Sequence, residues 1–247
     1  MLSKNEIKWI KSLHDKQQRY NDQMFVAEGS RLVLDLIRSK PNDLVSLLAT
    51  KSWILKNQSK IAPFLDIIKE ITESQFQQIS KLSSTEEVLA IMKFPFWSAS
   101  HSPNPEISLF LDQIRDPGNM GTIIRTADWF GIDTIYLSPG CVDPLNNKVI
   151  QASMSSVVRV KTIEIEIQNL KQSFVEHQFL GASLNGISYL ELDLKLPRII
   201  CLGNEANGLS SNVIDQCNQL ISIPSKTLGA ESLNVGIAAG ILMAHFI

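Results

Sequence analysis

Three stretches of this chain place polar side chains beside glycines, each directly after an apolar run. The first, residues 112–131, has Pro117-Gly118 to turn the chain, Asn119 to cap a helix, Gly121 to admit a close neighbour, and Arg125 further along that helix. In the second, residues 201–209, Gly203 and Gly208 bracket the carboxylate Glu205. The third follows the apolar run Leu220 to Ile223; it passes Pro224 and Gly229 and reaches Glu231-Ser232-Leu233-Asn234, which the pattern makes the first turn of a small-residue helix. A guanidinium, a carboxylate, two carboxamides and a hydroxyl form a set suited to holding a polar ligand through charge-assisted hydrogen bonds. Loops beside helix N-termini, with unpaired backbone groups, are where α/β proteins hold such ligands. Other chemistries lack their parts: His14, His101, His177 and His245 have no metal-ligand spacing, and no Ser/His/Asp set, reactive-cysteine arrangement or Walker-type phosphate loop is present.

The elements needed to position these loops can be read from the alternation of short apolar runs with helical periodicity. Strands are expected at 107–111, 132–137, 157–160, 179–184, 199–202 and 219–223, with helices between them and at the C-terminus. Buried strands alternating with helices make a mostly parallel sheet covered on both faces, whose ligands sit beyond the carboxyl ends of the strands. The last helix is apolar nearly all round, with Gly236, Ala238, Ala239, Gly240 and Ala244 reducing its bulk. Such a helix is buried, either on its own sheet or partly against a second subunit.

Upstream, Ser98-Ala-Ser-His-Ser-Pro-Asn-Pro105 is small, polar and proline-bearing, which marks residues 98–105 as a linker. Residues 1–97 then form a small α/β/α domain, helical from Ile7 to Arg38 with Ser30 as an N-cap, then strands at 44–49, 66–71 and 88–94 alternating with helices. Residues 106–247 form the second domain. Net charge is −2, but residues 1–100 carry fourteen Lys and Arg against eleven Asp and Glu, a balance of +3. Lys4, Lys8, Lys11, Lys16 and Arg19 lie close together and, with Arg31, suit a polyanion partner, although a solvated helix face accounts for the same charges. Asp116 and Asp128 read as solvated charges, and Trp9, Trp53, Trp97 and Trp129 as packing residues, Trp9 excepted for its lysine neighbours. Three widely spaced cysteines, no signal-peptide pattern and no membrane-length apolar run point to a cytoplasmic protein without metal or membrane.

Taken in order, the three loops resemble the SpoU (TrmH) family of RNA ribose 2′-O-methyltransferases within the SPOUT group. Asn119, Gly121, Arg125, Thr126, Ala127 and Phe130-Gly131 match its first motif, Gly203, Glu205, Gly208 and Leu209 its second, and Ile223-Pro224 with Ser232-Leu-Asn234 its third. Phe25-Val-Ala-Glu-Gly29 supports an N-terminal RNA-binding domain similar to ribosomal protein L30e. The chain departs from the family's pattern at Ser225, where methionine is usual, in a longer loop over Lys226 to Ala230, and at Ser155, where glycine is frequent.

The resemblance implies a SPOUT-type sheet closed by a C-terminal trefoil knot, S-adenosyl-L-methionine as cofactor, rRNA or tRNA as substrate, and a homodimer. It carries cofactor contacts onto Gly203, Ile223 and Leu233, with Leu202, Pro224, Ser183 and Leu184 beside them. It carries catalysis onto Arg125, supported by Asn119, Glu205, Ser232 and Asn234, with Glu205 orienting Arg125 or the cofactor loop and Ser232 binding phosphate. A guanidinium stays protonated near neutral pH, so Arg125 is better suited to stabilising an alkoxide and gripping the adjacent phosphate than to acting as a base. The alternative is a non-catalytic RNA-binding or ribosome-assembly protein that retains the fold.

Overall fold

The computed structural model describes residues 2–82, 86–95, 106–192, 197–226, 229 and 231–247; the linker expected at 98–105 lies outside them. Contacts group Met1–Phe96 with Leu145–Val158 as one unit, and Trp97–Pro144 with Arg159–Ile247 as a second.

The first unit runs α1 (Lys4–Ser12), α2 (Lys16–Asp22), β1 (Met24–Glu28), α3 (Ser30–Ser39), β2 (Leu44–Ala49), α4 (Lys51–Ile61), β3 (Ile68–Glu70), α5 (Glu73–Ile79) and β4 (Val88–Lys93). Its sheet order is β1-β4-β2-β3, antiparallel except for β2 with β3. Period-two alternation divides the core: Phe25, Ala27, Leu47 and Ala90 face one cluster, and Val26, Leu48, Leu89 and Ile91 the other. The helix expected from Ile7 to Arg38 is therefore interrupted. β1 is buried almost throughout, and a short segment that is apolar up to Glu28 carries no period that separates strand from helix. Ser30 is the first residue of α3 rather than its cap; Gly29 holds the cap position at φ 101°, and the Ser30 hydroxyl accepts from Trp53 Nε1 at 2.8 Å.

The second unit begins with β5 (Ile107–Leu111), α6 (Pro117–Trp129) and β6 (Thr134–Leu137). The chain then supplies α7 (Asn147–Ser153) and a 3-10 turn (Met154–Val158) to the first unit, where Leu145, Ile150, Val157 and Val158 join the core. The strand expected at 157–160 is consequently displaced to β7 (Lys161–Glu164), a partly exposed edge. There follow α8 (Ile167–Ser173), β8 (Gln178–Ser188), β9 (Arg198–Leu202), α9 (Ser211–Ile214), β10 (Gln219–Ser222) and α10 (Val235–Phe246). The sheet is wholly parallel in its described pairs, in the order β10-β8-β9-β5-β6-β7. Central β9 reads Arg-Ile-Ile-Cys-Leu and is buried at every position, as expected of a parallel strand covered on both faces.

This order sets the position of a site. From β5 the chain first moves to one side, through β6 and β7, and later returns to place β9 on β5's other side. The crevice between the ends of β5 and β9 is therefore a topological switch point, where open α/β sheets bind ligands. α10 packs on α6 and β9. A side chain added at Gly236 would stand 3.2 Å from Thr122, and one at Gly240 3.9 Å from Thr126, so part of the small-residue face serves close packing on α6 of the same chain.

Candidate active site

α6 begins where Asp116 accepts from Asn119 N at 2.8 Å, with Pro117 in the first turn. The cap is therefore Asp116, expected to be only a solvated charge, and Asn119's side chain is left to reach other loops. The last helix starts later than expected. Asn234 is its N-cap, its Oδ1 accepting from Gly236 N at 2.9 Å and Ile237 N at 3.3 Å, and Glu231, Ser232 and Leu233 lie in the preceding loop.

That cap fixes the polarity of a chain of hydrogen bonds. Because Asn234 Oδ1 serves the helix, its Nδ2 is the outward donor, and it reaches Asn119 Oδ1 at 2.8 Å. Asn119 Nδ2 must then donate, and it donates to Glu205 Oε1. Residues from all three loops are joined in one direction, ending on a carboxylate. Glu205 sits at the tip of a ring closed by mutual backbone bonds between Asn204 and Gly208, at 3.0 and 2.8 Å. Gly203 makes that ring possible, since a Cβ there would overlap the Gly208 backbone and Leu209 N. Gly208 turns the ring at φ 67°.

Arg125 is exposed on α6 and makes no hydrogen bond or ion pair among the described residues. Glu205 bonds to Asn119 rather than to Arg125. Ser232 is exposed and does not join the hydrogen-bonded chain. Among the apolar candidates, Leu202 is buried, Ile223 half-buried, Pro224 exposed, and Leu233 exposed at 47%. Ser183 and Leu184 lie inside β8, which runs to Ser188. They occupy the segment where its register with β10 jumps from Gly181 to Ile187, and Leu184 projects outward.

Two other residues differ from expectation within this unit. Asp128 is paired with Arg159, whose nitrogens donate to it at 2.6 and 2.9 Å. Trp129 is 85% exposed rather than packed. Asp112, which no motif or spacing marks in the sequence, is buried and accepts from Ser210 N at 2.7 Å.

In the first unit, Lys4, Lys8 and Lys11 are exposed along one face of α1, and Lys16 and Arg31 are exposed on α2 and α3. Arg19 belongs to the interior: it is 2% exposed and donates to the carbonyls of Leu13 and His14 at 3.2 and 2.8 Å. Trp9 is half-buried, its indole donating to Asp22 at 2.7 Å. Among the described residues, no cluster of His, Cys, Asp and Glu could hold a metal ion, and no helix is long and apolar enough to cross a membrane.

Residues 106–244 match the SpoU rRNA Methylase family, and residues 4–90 match the MRM3-like substrate binding domain. A 23S rRNA (guanosine(2553)-2′-O)-methyltransferase of Bacillus subtilis is 28% identical, over 98% of this chain and 96% of its own length. The structure of a TrmH-family protein of Porphyromonas gingivalis superposes with a TM-score of 0.82 at 34% identity, covering 100% of this chain and 98% of that one. An AdoMet-bound rRNA methyltransferase of Sinorhizobium meliloti does so with a TM-score of 0.83 at 26% identity, over 100% and 98%.

Proposed function

This chain belongs to the SpoU rRNA Methylase family and is an S-adenosyl-L-methionine-dependent RNA methyltransferase; we propose that it methylates a ribose 2′-hydroxyl of ribosomal RNA, with Arg125 at the reacting oxygen. The observation that carries this assignment is the directional chain from the α10 N-terminus through Asn234 and Asn119 to Glu205, formed at the switch point, with Arg125 exposed further along the same helix α6 and without a partner among the described residues. The B. subtilis relative's named activity supports the choice of ribose and rRNA.

The residues present suit the cofactor. Exposed Leu233 and half-buried Ile223, with Pro224, offer apolar surface for an adenine ring, while Gly203, after buried Leu202, lets the 204–208 ring fold tightly and its half-exposed main chain meets the cofactor. Ser183 and Leu184 stand at the neighbouring β8 irregularity. When bound, the cofactor supplies an electrophilic methyl group. The protein's share is to hold the 2′-oxygen in line and to stabilise the negative charge that grows on it. Arg125 does this with a fixed cation, gripping the adjacent phosphate through its second edge, and the 2′-proton departs late, to water. Asn119 and Asn234 hold the ribose and phosphate side, Glu205 keeps Asn119 oriented, and Ser232 meets phosphate ahead of α10. Lys4, Lys8, Lys11, Lys16 and Arg31 dock the RNA through its backbone.

The protein acts as a cytoplasmic homodimer in this reading. Its dimer face is the α6–α10 pair, where Ile237 is 54% exposed and Trp129 projects from α6. Sedimentation of Ile237→Glu as a monomer against a dimeric parent checks this.

The deciding experiment is methyl transfer from labelled S-adenosyl-L-methionine to total RNA from cells lacking the protein, followed by digestion to nucleosides. Label in a 2′-O-methylnucleoside from rRNA, absent with Arg125→Ala, is the expected outcome. Label on a base, or transfer that survives Arg125→Ala, defeats the assignment. A pH–rate break that disappears in Arg125→Lys would make Arg125 a true base instead.

A further inference from the structure

Asp112 and Gln113, the two residues that leave β5, hold the Glu205 loop at three places. At the loop's entry, Asp112 N donates to Leu202 O at 2.8 Å. At its exit, the Asp112 carboxylate accepts from Ser210 N at 2.7 Å. Between them, Asn204 Nδ2 donates to Gln113 O at 2.9 Å, while Asn204 Oδ1 accepts from Ala206 N at 2.9 Å. Gln113 is itself pinned, its N–H donating to Ser138 Oγ at 2.9 Å beyond the end of β6. It adopts φ 53°, a left-handed conformation that costs energy in a residue with a side chain and persists only where the surroundings enforce it.

The bond to Ser210 is not part of a helix's ordinary capping. Ser210 is the N-cap residue of α9, and its own N–H points back across 98 residues of sequence to a carboxylate that is 2% exposed. A buried carboxylate receiving a backbone amide is a strong, directional tie, and removing it leaves a donor without a partner. The strand ladder between β5 and β9 stops at Leu111 and Leu202, so beyond it the ring that carries Glu205 depends on this grip.

We propose that Asp112 is a positioning residue: through Ser210 it holds the 203–210 loop in the one conformation that receives S-adenosyl-L-methionine, with Gln113 and Asn204 as the second clamp. This rests on the placement of the cofactor at Gly203 given above. Asp112 touches neither substrate nor cofactor. What the side chain must supply is an acceptor at the right distance, so asparagine can replace it and alanine cannot.

The test uses full-length protein and measures calorimetric affinity for S-adenosyl-L-methionine, amide exchange in peptides spanning 203–212, and kcat and KM for the cofactor. Asp112→Ala is expected to weaken cofactor binding about tenfold or more, to speed exchange in that peptide, and to raise KM with kcat at saturation reduced less than about threefold. Asp112→Asn is expected to stay within about threefold of the parent in every readout. Unchanged exchange and affinity in Asp112→Ala overturn the proposal, as does an Asp112→Asn variant as impaired as Asp112→Ala. If Asp112→Ala does not fold, Asn204→Asp keeps the Ala206 bond but turns the donor facing Gln113 O into an acceptor. Faster exchange with tenfold weaker binding then supports the grip, and parent-like behaviour refutes it. Leu233→Asp, exposed and outside the 203–210 loop, distinguishes failure of the cofactor's placement from failure of the grip. If it binds the cofactor like the parent, the cofactor's placement is wrong, while the exchange data still decide whether Asp112 holds the loop.

Discussion

The two units use their polar side chains in opposite ways. In the first, charged groups fasten neighbouring elements. Glu6 receives Lys69 Nζ at 2.7 Å and completes a capping box with Ser3, and those partners hold its carboxyl down at about 2. Hydrogen bonds from Gln18 and Trp9 keep Asp22 below the usual carboxylate range, and the Ser52 hydroxyl does the same for Glu87. At the sheet edge of the second unit, polar groups instead join loops far apart in sequence, 119 with 205, 234 with 119, and 204 with 113. A polar residue that fastens an element should register as stability when it is lost. One that aligns loops should register as lost rate in a protein that still folds.

The sharpest expected effect is at Arg125, which fastens nothing among the described residues. Arg125→Ala should lower kcat by about 10²-fold or more, the scale of losing a preorganised charge beside a developing anion, while melting temperature and cofactor affinity stay at parent values. Single-turnover methylation beside calorimetry checks this, and a large drop in melting temperature would place Arg125 among the fasteners.

Next is Asn119, where polarity rather than size is under test. Asn119→Asp keeps the shape and still accepts from Asn234, but it turns an acceptor toward Glu205, so it should lose more activity than Asn119→Ala, about 10- to 100-fold. Adding Glu205→Gln restores a donor and should recover part of the loss, with a coupling of about 1–3 kcal/mol between the two positions. Additive effects would mean that the hydrogen-bonded chain does not act as a unit.

Smaller effects should distinguish two arginine and lysine positions that composition alone treats alike. Arg19 donates to two carbonyls from the interior, so Arg19→Ala should cost about 1.5–3 kcal/mol of stability in a denaturant titration. Exposed Lys8 should give the reverse: Lys8→Ala leaves stability within about 0.5 kcal/mol and reduces the salt dependence of RNA binding by about one unit of slope. If Arg19→Ala changed the salt slope instead, its burial would not matter to function.

These contrasts also explain what could be read from the chain beforehand. The parallel sheet and the three loops were legible because β5, β6, β9 and β10 are apolar runs ended by glycine, proline or polar residues, a pattern local to each strand. The match of Asn119, Glu205 and Asn234 to known motifs named residues that the structure joins, but not the direction of their bonds, which follows from Asn234's role as a cap. What escaped was non-local. β1 is too short, with four apolar residues in a row before Glu28, to show a period. Val157 and Val158 look like a strand until Leu145–Val158 is seen to complete another unit's core. Arg19 looks like one more basic residue on a lysine-rich stretch, and nothing in its neighbours announces that it points inward. Asp112 carries no local signal because its partner lies 98 residues away.

The smallest effect lies just below the sheet edge, and it asks whether the second unit's polar coupling extends beneath its loops. Cys201 and Cys217 stand together under Gly181, where an added Cβ would approach Cys217 Sγ to 2.9 Å. A hydrogen bond from Cys201, and next the ammonium of Lys171, pull the Cys217 thiol below its ordinary range, whereas the same bond and burial push Cys201 well up. Burial also raises Cys141. A lowered thiol carries thiolate at lower pH, so as pH rises from 6 iodoacetamide should modify Cys217 before the other two, with a midpoint below that of a free thiol. Lys171→Met should move that midpoint upward, and Cys201→Ala further still, since the larger contribution is the hydrogen bond. Mass spectrometry of timed alkylation resolves the order. Equal rates at all three cysteines would confine the second unit's coupled polar groups to its loops.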